Sequence, residues 1–554
     1  MYKNPVISID FGTQSVRVSI INNKGEFLAF EKVTYDKPYF SIKPGYCEQD
    51  PEYYYSCMCK ASQALVEKNK DLVAKCEYFS ITCFRDTAAY LDENYKVVRP
   101  SIIWLDQRQA KLEEKLPFLY RLIFGIIGMT DTVVFNRKRT PAHWLKENEK
   151  ENWNKIRYYS PLSSYFNYRL TGVLGDGSSN MIGHYPINFK KGEWYKSDKH
   201  IKGCMFGIPL KKLPKIFKTG EVVGTISPIG HMESGLPVGL KFIATGNDKS
   251  CEALGSGAIN SDYAHISYGT ASSIAVTSKK YFEPEKFLPA YTCCYKDWFT
   301  GETQVYRGYW MLNWFTKEFA KSESIEATIE RIAPEEVLNK KLSEIPPGSD
   351  GLILQPYWGP SLSKPLAKGA IIGFFDVHTK YHIYRAIIEG IAYELKSGLI
   401  GIQKKLHKKV KYLTISGGGS KSDAICQITS DIFNLPVIKT NKIELLEGVD
   451  SLGNPFSANN IYYKTAPGVY VSGSSDEATK IKLFSNETCT NLKNLFVVGS
   501  INGSPVPVLN NNNLGNRIEK LSTNVSDGGN RKHISDIRMC RDIYLRNSTY
   551  KPLK

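Results

Sequence analysis

Residues Val6 to Ile21 read VISIDFGTQSVRVSII: an apolar run, the turn Asp10-Phe11-Gly12-Thr13-Gln14-Ser15, and a second apolar run. The pattern predicts a strand, a tight turn and a returning strand. An acidic residue at a strand end, followed at once by Gly-Thr, sets a carboxylate beside backbone N–H groups and hydroxyls able to face a phosphate. That is the donor and acceptor set of a metal-nucleotide site. The pattern returns at Ala264 to Ile274, AHISYGTASSI. There Ile266-Ser267-Tyr268-Gly269-Thr270-Ala271-Ser272 echoes Ile9 to Ser15, with Ser in place of Asp. A single Gly-Thr hairpin needs no ligand; two like units in one chain imply two similar domains facing one ligand.

The rest of the chain fits that division. At 554 residues it is too long for one core, and two large domains plus a tail are expected. With 42% hydrophobic and 23% charged residues, most of it has the means to bury a globular interior. The formal net charge of +17 would attract anions, nucleic acid included, but the lysines are scattered and form no long basic run. The charge therefore reads as a solvated lysine-rich surface, and no nucleic-acid partner is expected. The opening MYKNPVISID carries no leader pattern, and the most apolar run, Phe118 to Met129, is short and interrupted by Arg121. A cytoplasmic protein without a membrane span is expected, its twelve cysteines reduced. Cys57-Met58-Cys59 and Cys293-Cys294 lack partner clusters and read as buried thiols.

Along the chain, Asn22-Asn23-Lys24-Gly25 signals a turn, and Glu26 to Val33 alternates as a strand that completes a meander. A helix should start after Asp50-Pro51, with Asp as its cap and Pro in its first turn. Tyr78 to Cys83 reads as a strand leading into Phe84-Arg85-Asp86-Thr87. Arg85 beside Asp86 offers donors and an acceptor to a polyhydroxylated substrate, although a surface ion pair would look the same. Asp106, in Ile102 to Arg108, carries the same double reading. Leu240 to Thr245 should be a strand ending in Gly246-Asn247-Asp248-Lys249-Ser250, ahead of a small-residue helix over Cys251 to Gly257. Asp248 is then either that helix's N-cap or a general base aimed into a cleft between domains.

A long amphipathic helix is predicted over His382 to Leu406, with Ile383, Ile387, Ile391, Leu395 and Leu399 at intervals of four. His378 and His382 have no H-E-x-x-H context and read as structural. Lys411 to Ser416 should be a strand, Gly417-Gly418-Gly419 a tight turn, Ser422 to Phe433 a helix and Leu435 to Ile438 a strand. Glycines at such a turn let backbone approach a nucleotide base or ribose, although turns of this kind also occur without a ligand.

Taken together these residues resemble the FGGY carbohydrate kinase family of the actin-like ATPase superfamily. Asp10-Phe11-Gly12-Thr13 with Arg17 resembles its first phosphate motif, Ser267-Tyr268-Gly269-Thr270 its second, and Gly417-Gly418-Gly419 followed by Gln427 to Asp431 its adenosine motif. Gly369 to Glu389, Pro44 to Pro51 and Trp104 to Arg108 are further family-like blocks, so the resemblance runs from about residue 5 to 453. It implies an α/β fold of two ribonuclease-H-like, actin-like domains with an interdomain cleft, over 1–258 (sugar side) and 259–453 (nucleotide side), plus an irregular C-terminal tail at 454–554. It implies ATP-dependent phosphorylation of a small sugar or polyol hydroxyl, of pentulose or glycerol type. Asp248 would take the acceptor proton. Asp10 would hold Mg²⁺. Gly12, Thr13, Gln14, Arg17, Gly269, Thr270 and Gly417 to Gly419 would contact ATP, and Arg85, Asp86, Asp106, Asp248 and Lys249 the substrate.

Departures from the family pattern leave a second reading open. Lys249 stands where a Gln is common after the catalytic Asp. The Met-His-Gly block of xylulose kinases is absent, and RKRTPAHWLKE at Arg137 to Glu147 is contracted. Glu447 to Gly453 starts like the family's last helix, but Asn454-Pro455 interrupts it. Ser472 to Ser475, Asn510 to Asn513 and Ser526 to Asn530 are turn-rich. A catalytically impaired nucleotide or sugar sensor on the same fold is the alternative. The sugar and the oligomeric state, a homodimer included, stay open at this level.

Overall fold

The computed structural model describes residues 4–439 except 24, 286–287, 360–363 and 365, together with the backbones of six short strands between residues 468 and 510. The opening stretch folds as read. Strand Val6–Phe11 turns at Gly12 into the antiparallel strand Ser15–Ile21, which pairs in turn with Phe27–Thr34. On its other side Val6–Phe11 runs parallel to Tyr78–Cys83, and that strand runs parallel to Lys241–Ile243. The second half repeats this arrangement in order and sense. Tyr263–Tyr268 lies antiparallel to Ser272–Ser278, which pairs antiparallel with Phe299–Val305. On the other side Tyr263–Tyr268 runs parallel to Tyr412–Gly417, and that strand runs parallel to Val437–Lys439. Two sheets of one topology, each with its helices, form the α/β fold expected from the repeated hairpin.

Local chemistry explains the helices. Pro51–Lys68 begins at Asp50, whose carboxylate accepts the Glu52 N–H at 2.9 Å, with Pro51 in the first turn. The long helix Lys380–Leu406 buries Ile387, Ile391, Leu395 and Leu399, while Ile383 is half-buried at the rim. It packs on Ser272–Ser278 and Phe299–Val305 as the core of the second half, together with Phe315, Leu413 and Ile415. The core of the first half gathers Ile7, Ile9, Phe11, Phe79, Phe166 and Phe242, with Phe11 stacked on Phe166 at 4.1 Å. His382 holds Asp350 at 3.1 Å and His378 accepts the Phe375 N–H at 2.9 Å, so both serve the start of the long helix.

Some boundaries differ from expectation. The strand read over 240–245 is confined to Lys241–Ile243, because Ala244 to Asn247 bend to enter the next helix. That helix is Asp248–Gly255, and its cap is Asn247, whose side-chain oxygen accepts the Lys249 N–H at 3.0 Å and the Ser250 N–H at 3.3 Å. The cap reading of Asp248 is thereby corrected: Asn247 satisfies the orphan donors, and Asp248 begins the helix proper. Phe118–Ile126 is a helix of nine residues with Phe118, Leu119 and Ile126 exposed. The block at 447–453 and most of the tail at 454–554 lie outside the described residues. The six short strands begin with Gly468–Tyr470, which pairs antiparallel with Val437–Lys439 and continues the second sheet.

Ile391 is fully buried in the long helix. Ile391→Ala should destabilise the second half by about 2–5 kcal/mol through lost contacts and a residual cavity; urea unfolding checks this.

Candidate active site

Each of the three turns named by the sequence sits at the carboxyl end of a central strand. Gly12 donates its N–H to Ser15 O at 3.0 Å, and a Cβ there would come within 3.3 Å of the same carbonyl; Gly269 stands 3.3 Å from Ala271 O in the same way. Gly417 takes a left-handed φ of 82° and lies in register with Tyr268, so that a Cβ would fall 2.5 Å from Tyr268 O. The three-glycine turn is thus seated against the residue preceding Gly269. Gly418 has no atom closer than 4.0 Å to such a Cβ, whereas Gly419 would meet the Tyr309 ring at 2.4 Å. Gly417 and Gly419 are demanded by the fold; Gly418 is not.

Asp10 is the last residue but one of the first strand, opposite Arg17 in the hairpin register, and Arg17 Nη1 donates to Asp10 Oδ2 at 2.6 Å. Burial pushes the Asp10 carboxyl up to about 6 against the pull of Arg17, and the negative charges of Asp248 and Glu252 add to the rise. Arg17 therefore reaches Asp10 itself. Among the described residues no group of three or more His, Cys, Asp or Glu side chains could hold a metal alone. A single carboxylate at a phosphate turn is instead the donor set of Mg²⁺, which keeps several waters and takes its remaining ligands from substrate phosphates.

Asp248 lies at the start of its helix, where its carboxylate accepts the Lys249 N–H at 2.8 Å. Arg85 Nε approaches it at 3.7 Å, while Arg85 Nη1 holds Glu302 of the second sheet at 2.5 Å. Burial raises the Asp248 carboxyl above its ordinary value, with Arg85 and Lys249 opposing. Lys249 does not reach into open space. Its ammonium donates to Glu252 at 2.8 Å and to Ser267 Oγ at 2.7 Å. Ser267 in turn donates to Glu252 at 2.9 Å, and Ser416 donates to the same carboxylate. Glu252 is buried, yet Lys249 and His265 hold it well below the usual carboxylate range. The residue that replaces Asp in the second copy of the hairpin is thus the partner of the Lys that follows Asp248.

A cavity of about 570 Å³ brings together Thr13, Arg85, Asp86, Asp106, Asp248, Lys249, Gly269 and Thr270. Asp10, Gly12, Gln14, Arg17 and Gly417 to Gly419 stand outside its lining; Gln14 is exposed. Asp86 adopts a left-handed φ of 56° and pairs through Oδ2 with His184 Nδ1 at 2.8 Å, while its Oδ1 accepts the His184 N–H at 3.0 Å. Gly183 permits this approach, since a Cβ there would fall 2.5 Å from the Asp86 carboxylate. Asp106 reaches the wall with both oxygens engaged, accepting from Arg108 Nε and Nη2 at 2.8 Å each and from the Cys47 N–H at 2.6 Å. The Trp104 indole N–H donates to Thr13 Oγ1 at 3.2 Å, linking one substrate-side block to the first turn. Glu302 and His184 escaped sequence reasoning. They stand 217 and 98 residues from the partners that define them, and neither lies in a recognisable motif.

The uncharacterized sugar kinase YgcE of Escherichia coli strain K12 is 27% identical over 464 residues, covering 82% of this chain and 84% of that protein. A xylulose kinase of Bacillus subtilis strain 168 is 28% identical over 447 residues, covering 78% and 84%. The crystal structure of xylulose kinase from Rhodospirillum rubrum superposes with a TM-score of 0.68 at 19% identity, over 88% of this chain and 95% of that one, and so shares the fold. The N-terminal domain model of the FGGY family of carbohydrate kinases matches residues 5–255 and the C-terminal domain model residues 264–444. With its duplicated sheets and both Gly-Thr turns meeting one cavity, the chain belongs to the FGGY family of carbohydrate kinases.

Proposed function

We propose that in this carbohydrate kinase, which transfers a phosphoryl group from ATP to a hydroxyl of a small sugar or polyol, Asp248 is the catalytic base and the cavity beside it holds the acceptor. The observation that carries this reading is the convergence of Asp248, Arg85, Asp86 and residues of both Gly-Thr turns, Thr13 from the first and Gly269 and Thr270 from the second, on a single cavity. The acceptor oxygen attacks the γ-phosphorus, its proton passes to Asp248, and ADP leaves with the bridging oxygen. Arg85 fixes the Asp248 carboxylate, and Asp86 with His184 offers an acceptor and a ring nitrogen to the other hydroxyls. Thr13, Gly269 and Thr270 line the phosphate path, and the turn at Gly417 to Gly419 receives the nucleoside. Asp10 would hold Mg²⁺ through water; when bound, the ion neutralises phosphate charge. Residues 1–258 and 259–453 form the two halves, which close over the substrates and exclude water.

Cytoplasmic residence fits the ten free cysteines among the described residues, where no helix is long and apolar enough to cross a membrane. Coupled ADP release across ketoses, aldoses, glycerol and polyols tests the activity and finds the acceptor class. Turnover stimulated by none of them, with ATP binding intact, would overturn the assignment.

Asp248→Asn should lower kcat by about 10²–10⁴-fold while leaving ATP affinity in place, as steady-state kinetics and calorimetry would read. Gly418→Val should weaken ATP binding with an unchanged melting temperature, because a Cβ at 418 has no atom of the fold closer than 4.0 Å. The Asp10 carboxyl is neutral below about pH 6 and ionised above it. Since a cation binds only the ionised form, the Mg²⁺ concentration needed for half-maximal rate should climb as pH falls below that value. Saturating Mg²⁺ should move the acid limb to lower pH; titration between about pH 5 and about pH 8 checks both.

A further inference from the structure

The cavity carries more positive charge than the transfer step uses. Six cationic side chains line it: Arg85, Arg108, Arg139, Lys202, Lys249 and Arg307. Carboxylates pair with three of them: Arg85 with Glu302 and Asp248, Arg108 with Asp106 and Glu48, and Lys249 with Glu252. Lys202 lies over the Phe206 ring at 5.8 Å with Glu283 opposing the effect of its burial. Arg139 and Arg307 have no carboxylate of the described residues acting on them in this way. Among the described residues neither makes an ion pair or a hydrogen bond through its side chain; Arg139 lies over the Phe135 ring at 5.4 Å and Arg307 over the Trp310 ring at 5.2 Å. Of the remaining acids of the wall, Asp86 pairs with His184, and among the described residues Glu285 forms no ion pair with either arginine.

The two guanidinium groups come from opposite halves of the molecule. Arg139 ends the helix Thr130–Arg139, and Arg307 follows the strand Phe299–Val305, where its stem packs within 3.1 Å of the Cβ position of Gly359. Burial lowers the Arg307 pKa, and the like charge of Arg139 lowers it further. Two cations half-buried in the wall of one cavity, neither of them ion-paired, raise the free energy of the empty site. An anion relieves both at once, and paired guanidinium forks suit the two oxygens of a carboxylate or the face of a phosphate. Asn136, Asn188 and Gln304 in the same wall supply partners for hydroxyls.

We propose that the acceptor is an acidic sugar, a hydroxylated chain with one terminal carboxylate or phosphate, whose anionic end sits between Arg139 and Arg307 while one of its hydroxyls meets Asp248. This rests on the kinase reading of the same cavity. A neutral polyol would leave both cations unpaired, so the pair selects against it as well as for its acid.

The test measures ADP release by the full chain with Mg-ATP on acceptors matched in carbon number: xylonate against xylitol, gluconate against glucitol, and glucose 6-phosphate against glucose. One acid class should exceed its neutral partner at least about tenfold in kcat/KM, and the carboxylate and phosphate arms tell which anion the pair takes. Arg139→Met and Arg307→Met should each cut that preference about ten- to a hundredfold without moving the KM for ATP, and Arg139→Lys and Arg307→Lys should restore part of it. Faster turnover of neutral acceptors than of either acid class overturns the proposal and leaves the kinase reading standing. A raised KM for ATP in either Met variant gives the cations to the nucleotide and also overturns it. Turnover of no acceptor, with ATP binding intact, overturns the kinase reading together with the proposal.

Discussion

The guanidinium of Arg85 lies between Asp248 in the first half and Glu302 in the second, 3.7 Å from one and 2.5 Å from the other. Glu302 is 2% exposed, so its charge has almost no water to answer it. A buried carboxylate deprived of its cation is strongly destabilising, by about 3–5 kcal/mol for such pairs. That constraint fixes where Arg85 must be whenever the halves are together, and from there its charge favours the ionised form of Asp248. The side chain beside the Asp248 carboxylate is thus the one that spans the cleft, which makes the surroundings of Asp248 depend on the relative placement of the halves.

A second bridge follows from the duplication of the hairpin. In the first copy the last residue but one of the strand is Asp10, which needs Arg17; in the second it is Ser267, which needs no cation. The hydroxyl donates to Glu252 and accepts from Lys249, joining the helix of Asp248 to the second sheet. An aspartate at 267 would stand beside Glu252 in a buried site and force one carboxylate to take a proton or both to compete for Lys249. The Ser that stands in place of Asp in the second copy and the Lys that follows Asp248 therefore describe one local arrangement of charge. They carry no sign of a spent active site.

What the sequence made legible was what repeats or has local period: the two hairpins, the four-residue spacing of the long helix, the glycine turn, and the strand-to-helix junction that contains Asp248. Reading Asp248 against its neighbour was harder, because Asn and Asp have nearly equal cap preference and only the folded backbone shows that Asn247 takes the cap. Asp106 was legible as a residue at the wall but not as one with its oxygens already occupied by Arg108 and Cys47. Glu302 and His184 were not legible at all. Their roles come from contacts across most of a domain, and no short-range pattern encodes such a pairing.

The site finally sorts its carboxylates by partner geometry. Asp10 and Glu252 are both buried and share the field of Asp248, yet one is pushed up to about 6 and the other is held well below the ordinary range. The difference lies in the number of donors each one has. Glu252 has Lys249 and His265 beside it, with Ser267 and Ser416 donating as well, and so keeps its charge as a structural anion. Asp10 has Arg17 on one oxygen alone. A carboxylate so placed gains more from a further cation than one already saturated, and burial enlarges that gain by removing the competing water. The same reasoning that leaves Asp10 short of positive charge leaves Arg139 and Arg307 short of negative charge. A site that binds two anionic or metal-bearing ligands together is expected to hold both deficits when empty, each on the wall its ligand will cover.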